Sequence, residues 1–515
     1  MTTIDYLALP WYKRVFHKIK AFFVSIPLFF IELFARKIPN TFSKIGKNIA
    51  GFFNNLINAF THGDYKTKIS FFIMGFGQIS RGSIIRGLLN LIYQVAFIIF
   101  FIAIGIPNLL QLGTFGSIAE STYEHPIKGI AIYKYTDDSF LILLFSIISI
   151  ILLFIYFFLW YKQVNESVAI QNLNRIGRKV SDKQVLSDLV GKNYHMVLLS
   201  FPTFGLVIFT IIPLIFMILV AFTNFSSTYQ NPKELFDWVG TYNFNKLLGM
   251  GANGNQVVAV FLQILLWTLI WAFFATFTNY FLGMGVALLI NKKGIKLKKL
   301  WRTALITTIA VPQFISLLFM KKFLDTDLGA LNYILKSAGI INQNIPFLND
   351  SNGGIITKIT IIIVNMWIGI PYTMLMCSGI LMNVPQDLYE SAKIDGASPF
   401  KMYMKITLPY MLFVTGPYLI SNFVGNINNF NVIYLLSGGG PVFIQVNGMP
   451  ITTSVYEAGQ TDLLITWLYK IAMTNVTKDY GLASVIGIFV FIVVASFSLI
   501  LYGKSNAVKN EGDFQ

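Results

Sequence analysis

The sequence is short of charge, shorter still of acid, and nearly without cysteine. Only 12% of its 515 residues are charged, against about 25% in soluble globular chains, which excludes an ordinary water-soluble fold. The single cysteine, Cys377, lies inside an apolar run, so no disulfide can form within the chain. An inert buried thiol is expected there, not a metal or redox centre. A phosphate-cradling loop is also missing. Gly503-Lys504-Ser505 ends like one, but Ser498 stands where the first glycine should be, and an apolar run, not a strand, leads into it. The tripeptide reads instead as a basic anchor at a helix end. The apolar runs hold almost no Asp, Glu or His, the groups that ion-coupled carriers often place at membrane depth. The apolar stretch Ala21–Ala35 contains Glu32 and lacks a small-residue cleavage site, so it is not expected to be a cleaved leader.

What is abundant is apolar. Hydrophobic residues make up 55% of the chain, with 48 phenylalanines. Bilayer hydrocarbon is about 30 Å thick and takes about 20 apolar residues per helix. Eight runs meet that length, giving an all-α integral membrane protein with about eight transmembrane helices: Leu88–Leu110, Phe140–Tyr161, Met196–Phe222, Val260–Ile290, Thr303–Phe323, Ile355–Met382, Tyr410–Leu436 and Gly481–Tyr502. The formal net charge of +16 comes from cations gathered on one side of these spans. Of 39 lysines and arginines, 29 fall in 1–87, 162–195, Asn291–Arg302, 385–409 and the tail. The positive-inside rule makes that side cytoplasmic, with both termini there, so the charge marks orientation in a cytoplasmic membrane and not nucleic-acid binding. Lys292, Lys293, Lys296, Lys298, Lys299 and Arg302 weigh most in this assignment.

The chain divides into a basic, amphipathic N-terminal region (1–87), two spans with a basic loop (88–195), a core of six spans (196–502) and a tail (503–515). In Trp11–Lys37 cations alternate with Phe, Ile and Leu, which suits a helix lying on anionic membrane lipid. An extra span over Ala21–Ala35 is the alternative, opposed by Pro27 and the short apolar length. The 461–478 stretch has helical periodicity and is expected to form a short outer helix or to extend the last span.

The 385–409 segment, PQDLYESAKIDGASPFKMYMKITLP, is neither simply apolar nor simply charged. Glu390, Ala392 and Gly396 are followed after nine residues by Ile406, Leu408 and Pro409. The residues suggest two short helices about a turn. Asp387 is expected to cap the first, and Gly396 to end it in a left-handed conformation. An ordinary capped connector would satisfy the same pattern.

This segment resembles the EAA loop of ABC importer permeases, with Ser391 in place of the middle alanine. WVGTYNF (238–244), AVPQFIS (310–316), WIGIPY (367–372), NINNF (426–430), LSGGGP (436–441) and TDLLITWLYKIA (461–472) are similar to the F-type subunit of maltose and oligosaccharide importers. The resemblance covers most of 196–502 and implies the type I importer permease fold. It also implies a sugar permease subunit that is not itself an enzyme. Its implied partners are a second, G-type permease subunit, an ATPase dimer and an extracytoplasmic sugar-binding protein. No cofactor is implied on this chain; ATP and Mg belong to the ATPase. The large outer domain that some members carry between the third and fourth spans has no counterpart here.

A sugar site needs a few placed polar groups on an apolar wall. Asn422, Asn426 and Asn429 are spaced to share a helix face, Gly369 and Tyr372 flank Pro371, and Gln313 adjoins Pro312. Amides in spans also serve as interhelical glue, and composition alone favours that reading. The family resemblance places substrate contacts on Gly369, Tyr372, Asn426 and Asn429, and on Gln313 and Gly425, where the maltose pattern has serine and phenylalanine. Ile309 likewise replaces a family tyrosine. An ATP-independent carrier or channel, or a membrane scaffold, is the competing functional class.

Overall fold

The computed structural model describes residues 51–117, 121–124, 131–134, 137–178, 194–230, 234–250, 254–292, 294–446, 449–450, 457–475 and 477–504, with isolated positions between 182 and 191. The expectations for Trp11–Lys37 and Ala21–Ala35 fall outside these residues. The chain forms two compact units, Met1–Gly240 and Thr241–Gln515.

In the first unit, α1 (Ile84–Gln111), α2 (Ser139–Arg175) and α3 (Tyr194–Val220) are long and apolar enough to cross a membrane. Asp138 starts α2 by accepting the N–H groups of Phe140 and Leu141. At about 1.5 Å per residue α2 is roughly 55 Å long, well beyond one bilayer thickness. Its far end was read from the sequence as loop, and the structure corrects this: 162–175 stay helical. The reason is a polar stripe of Gln163, Ser167 and Gln171, four residues apart and buried. The short helices Tyr65–Ile69 and Phe76–Ile79 pack on that stripe. Gln163 donates to Ser70 O (2.7 Å), Arg81 to Ser167 Oγ (2.8 Å), and Thr67 Oγ1 to Gln171 Oε1 (2.8 Å). Residues 64–81 are thus a folded cap on α2, which the sequence did not show as a domain. At the opposite end Phe115 and Phe236 are buried against each other, and Trp238 donates to Leu112 O (2.9 Å). A small antiparallel hairpin, β1 (Ser121–Glu124) with β2 (Ala131–Lys134), lies between α1 and α2 in sequence.

In the second unit, α4 (Gly254–Asn291) packs along α7 (Ile355–Leu381) and α9 (Leu408–Ile427). Between α4 and α7 come α5 (Lys298–Ala310) and α6 (Gln313–Phe323), bent by 91°. Pro312 forces the bend: the residue before a proline avoids helical geometry, and Val311 is extended at φ −79°, ψ 123°. After α8 (Gln386–Ile394), α9 gives way at Asn428–Asn429 to α10 (Phe430–Leu436). A two-residue hairpin, β3 (Gln445–Val446) with β4 (Met449–Pro450), precedes α11 (Leu464–Tyr469) and the final helix α12 (Tyr480–Lys504). One buried cluster joins Trp267, Trp271, Leu317, Ile361 and Val432; another joins Tyr280, Met284, Met374, Cys377 and Met411.

Among the described residues six helices pass the length and apolarity test for a span, or seven with the bent α5–α6 pair counted as one. The seventh expected span, Tyr410–Leu436, is α9 plus α10, interrupted by the asparagines. α9 also carries Asn422, Asn426, two glycines and two prolines, which lower its apolarity. The expected span over Thr303–Phe323 is not straight but the bent pair.

Three helices share a device. π turns at Phe101–Gly105, Val207–Ile211 and Tyr403–Thr407 each end two residues before a proline: Pro107, Pro213 and Pro409. A proline lacks the N–H and clashes with the carbonyl four residues back. In each case that carbonyl lies inside the π turn, where the wider spacing relieves the clash and the helix continues.

Candidate functional site

The polar residues of α4, α7 and α9 meet the bend between α5 and α6 at a cavity of about 650 Å³. All six positions expected to contact substrate line it: Gln313, Gly369, Tyr372, Gly425, Asn426 and Asn429. They come from three separate stretches of chain. Pro312 ends the kink, so Gln313 opens α6 at the cavity and is exposed. Gly369 leaves room for the Asn279 side-chain amide, which a methyl group there would displace. Tyr372 is 55% exposed and supplies an aromatic face. Tyr418, Ser421 and Asn422 add hydroxyls and an amide from α9, and Ile309 an apolar wall from α5.

The asparagines play unequal parts. The expected common helical face holds for Asn422 and Asn426, but Asn429 lies past the end of α9. It is the N-cap of α10, accepting the Val432 N–H, and it donates to Asn426 Oδ1 (3.2 Å). Asn426 is buried and donates to Thr276 Oγ1 on α4 (3.0 Å), while its carbonyl accepts the Trp271 indole N–H (3.1 Å). Both therefore brace helices as well as line the cavity. Asn422 is half-buried on the same wall.

Among the lining residues that the sequence does not single out are two buried amides. Asn279 and Asn365 are 7% and 6% exposed, and among the described residues Asn279 Oδ1 and Asn365 Nδ2 have no hydrogen-bond partner. Such orphan groups in a native interior call for an explanation, and their place on a cavity wall supplies one. The available signal was spacing: Asn365 is one turn before Gly369, on the same face of α7.

The 385–409 segment forms the expected pair of helices about a turn. Gly396 sits at φ +72°, and the Ala397 N–H reaches back to Ala392 O (2.9 Å), closing the end of α8. Asp387 is not the cap, however. The helix begins at Gln386 behind Pro385, and Asp387 lies in its first turn, where a negative charge still favours the helix dipole. Ser398 caps the next helix, Pro399–Met402, which runs through the π turn Tyr403–Thr407 into α9 without a break. The Tyr389 hydroxyl bonds Thr407 Oγ1 (2.8 Å) and ties the two arms together. Glu390 is exposed, Ala392, Ile406 and Leu408 are half-buried, and Pro409 is exposed. Leu388, Ile394 and Phe400 leave an apolar surface open, Ile394 at 87% exposure. Among the described residues no three His, Cys, Asp or Glu gather as a metal site.

Residues 279–506 match the family described as binding-protein-dependent transport system inner membrane component. The maltodextrin transport system permease protein MalC of Streptococcus pneumoniae is 30% identical over 87% of this chain and 97% of its own length. This chain belongs to that family. It is a multi-pass membrane permease subunit of an ABC importer and not an enzyme. Further similar permeases are the galactooligosaccharides transport system protein GanP of Bacillus subtilis, 31% identical over 85% of this chain and 97% of that one, and the maltose/maltodextrin protein MalF of Vibrio parahaemolyticus, 34% identical over 51% and 47%. Among solved structures, a chain of a bacterial ABC transporter involved in import of the acidic polysaccharide alginate aligns with 63% of the permease and 99% of itself, at 20% identity and a TM-score of 0.45.

Proposed function

We propose that this permease carries an oligosaccharide of the maltodextrin class through the α4–α7–α9 cavity, driven by an ATPase docked on the 385–409 knob. The observation that carries this reading is the convergence of Gln313, Gly369, Tyr372, Gly425, Asn426 and Asn429 on one cavity of about 650 Å³. Its wall is mixed, with amides and hydroxyls for sugar O–H groups and Tyr372 and Trp367 for C–H faces. Relatives named for maltodextrin and galactooligosaccharide transport support the substrate class.

Coupling follows from one helix. From Pro399 to Ile427 the backbone is helical throughout, about 42 Å at 1.5 Å per residue. One end belongs to the knob and the other carries Asn422, Gly425 and Asn426 to the cavity. Closure of an ATPase on Leu388, Ile394 and Phe400 would move this rod and reshape the cavity. ATP and Mg then act on the ATPase dimer, and Glu390 anchors the loop without chemistry. A second, G-type permease subunit and an extracytoplasmic binding protein complete the assembly. The cation distribution supports a cytoplasmic knob and cytoplasmic termini.

The test is uptake by the assembled complex carrying Gly396→Pro or Glu390→Lys, with ATPase activity measured in parallel. Uncoupling is expected: ATP hydrolysis persists, uptake falls, and the chain still inserts. Normal uptake in both variants, or uptake by the chain alone in ATP-free vesicles, would sink the proposal.

A further inference from the structure

A second cavity, of about 300 Å³, lies between helix 51–62 and the end of α2 that extends past the apolar segment. Its lining is dominated by amides: Asn55 and Asn58 from the first helix, and Asn165, Gln171 and Asn172 from α2, with Arg175 at one edge. Among the described residues no carboxylate lines it. The site is built and not merely open. Gln171 is 5% exposed, and its Oε1 is fixed by the Asp64 N–H (3.1 Å) and the Thr67 hydroxyl (2.8 Å), which leaves its amide NH₂ for the cavity. The wall behind it is held by Arg81, whose guanidinium bonds Asp64, Thr67 and Ser167. Tyr161 steadies the facing helix by accepting a hydrogen bond from Asn55 and stacking near Phe52 at 4.3 Å.

We infer that this cavity binds a neutral polyhydroxylated molecule of mono- or disaccharide size. Each amide offers both a donor and an acceptor, the complement of a hydroxyl, which also does both. An anion would meet one guanidinium and the His62 ring beside the carbonyl end of α2, where the helix dipole disfavours negative charge. The volume equals roughly ten waters at about 30 Å³ each, room for a compact polyol and less than half of the α4–α7–α9 cavity. The site lies on the cation-rich side of the spans, so it would report sugar that has already crossed. It needs none of the residues of the α4–α7–α9 cavity and stands whether or not that cavity carries sugar.

The experiment is saturation-transfer NMR and equilibrium binding on the assembled transporter in detergent, with D-glucose, maltose and inorganic phosphate as probes. Saturable binding of glucose or maltose is expected, weakened at least tenfold by Asn58→Leu or by the milder Asn172→Ala, both at exposed positions. Asn422→Leu in the other cavity should leave it intact. The inference is overturned by absence of saturable sugar binding, by binding that only Asn422→Leu removes, or by binding of phosphate alone.

Discussion

Around Arg81 the buried polar groups close on one another, whereas around the α4–α7–α9 cavity they do not. The Arg81 side chain is 3% exposed, and its two terminal nitrogens meet Asp64, Thr67, Ser167 and Gly77. Gln163 and the Gln171 Oε1 complete that cap, and among the described residues Gln78 Oε1 is a buried atom it leaves without a partner. In the cavity Asn279 and Asn365 each keep an unpaired atom although both are nine-tenths buried. Burial without a partner costs about 1–3 kcal/mol per group. A closed network is architecture. An open one beside a cavity leaves donors and acceptors free for a ligand, as the proposed function requires.

Four substitutions and one pH series should separate the two regions, the strongest first. Asp64→Asn leaves the Arg81 charge buried without its counter-ion and should destabilise the first unit by about 3 kcal/mol, read as a lowered unfolding midpoint of the purified chain. A change under a third of that would show the network to be dispensable. Gly369→Val forces a branched side chain into the Asn279 amide and should cost about 2 kcal/mol of overpacking, with uptake down roughly tenfold or more. Asn426→Leu strips Thr276 of its amide donor and should cost about 1 kcal/mol, lowering assembly and uptake together. Asn422→Leu should separate those readouts, with stability within about 0.5 kcal/mol of the parent and uptake clearly reduced. Equal loss of both would make Asn422 glue like Asn426.

The smallest effect is in acid. Burial alone would lift the Asp64 carboxyl, but the Thr67 N–H and the Arg81 guanidinium outweigh it and hold the group below its usual 3.8. A depressed carboxylate contributes stability above its unfolded value, and that contribution is lost as pH falls through the folded value. The parent should therefore show a loss of stability below about pH 3.8 that Asp64→Asn lacks. An identical acid limb in both proteins would assign it to other groups.

The sequence made some of this legible and hid the rest for physical reasons. Long apolar runs located the spans because bilayer thickness sets a length no other element needs. The glycine of the 385–409 turn was readable because a left-handed residue admits few side chains. The cap on α2 was hidden: Gln163, Ser167 and Gln171 look like a solvated polar face until 64–81 cover them. Asn429 was placed on the wrong footing because helix spacing cannot show where a helix stops. Asn279 and Asn365 are lone amides in apolar runs, and only the packing of α4 on α7 reveals that they border empty space. The α5–α6 bend had a signal in Val311-Pro312, but the apolar run through it argued more loudly for a straight span.

The unbroken helix from Pro399 to Ile427 has a consequence for phase. Each residue advances an α-helix by about 100°, so the number of residues between knob and cavity fixes which side of the rod the cavity sees. Removing or adding one residue anywhere between Tyr410 and Gly416 would leave every cavity-facing group chemically intact and about 100° out of step. Asn422 and Asn426 would then point away from the cavity while the knob stayed seated. The rod acts as a key whose teeth are set by counting.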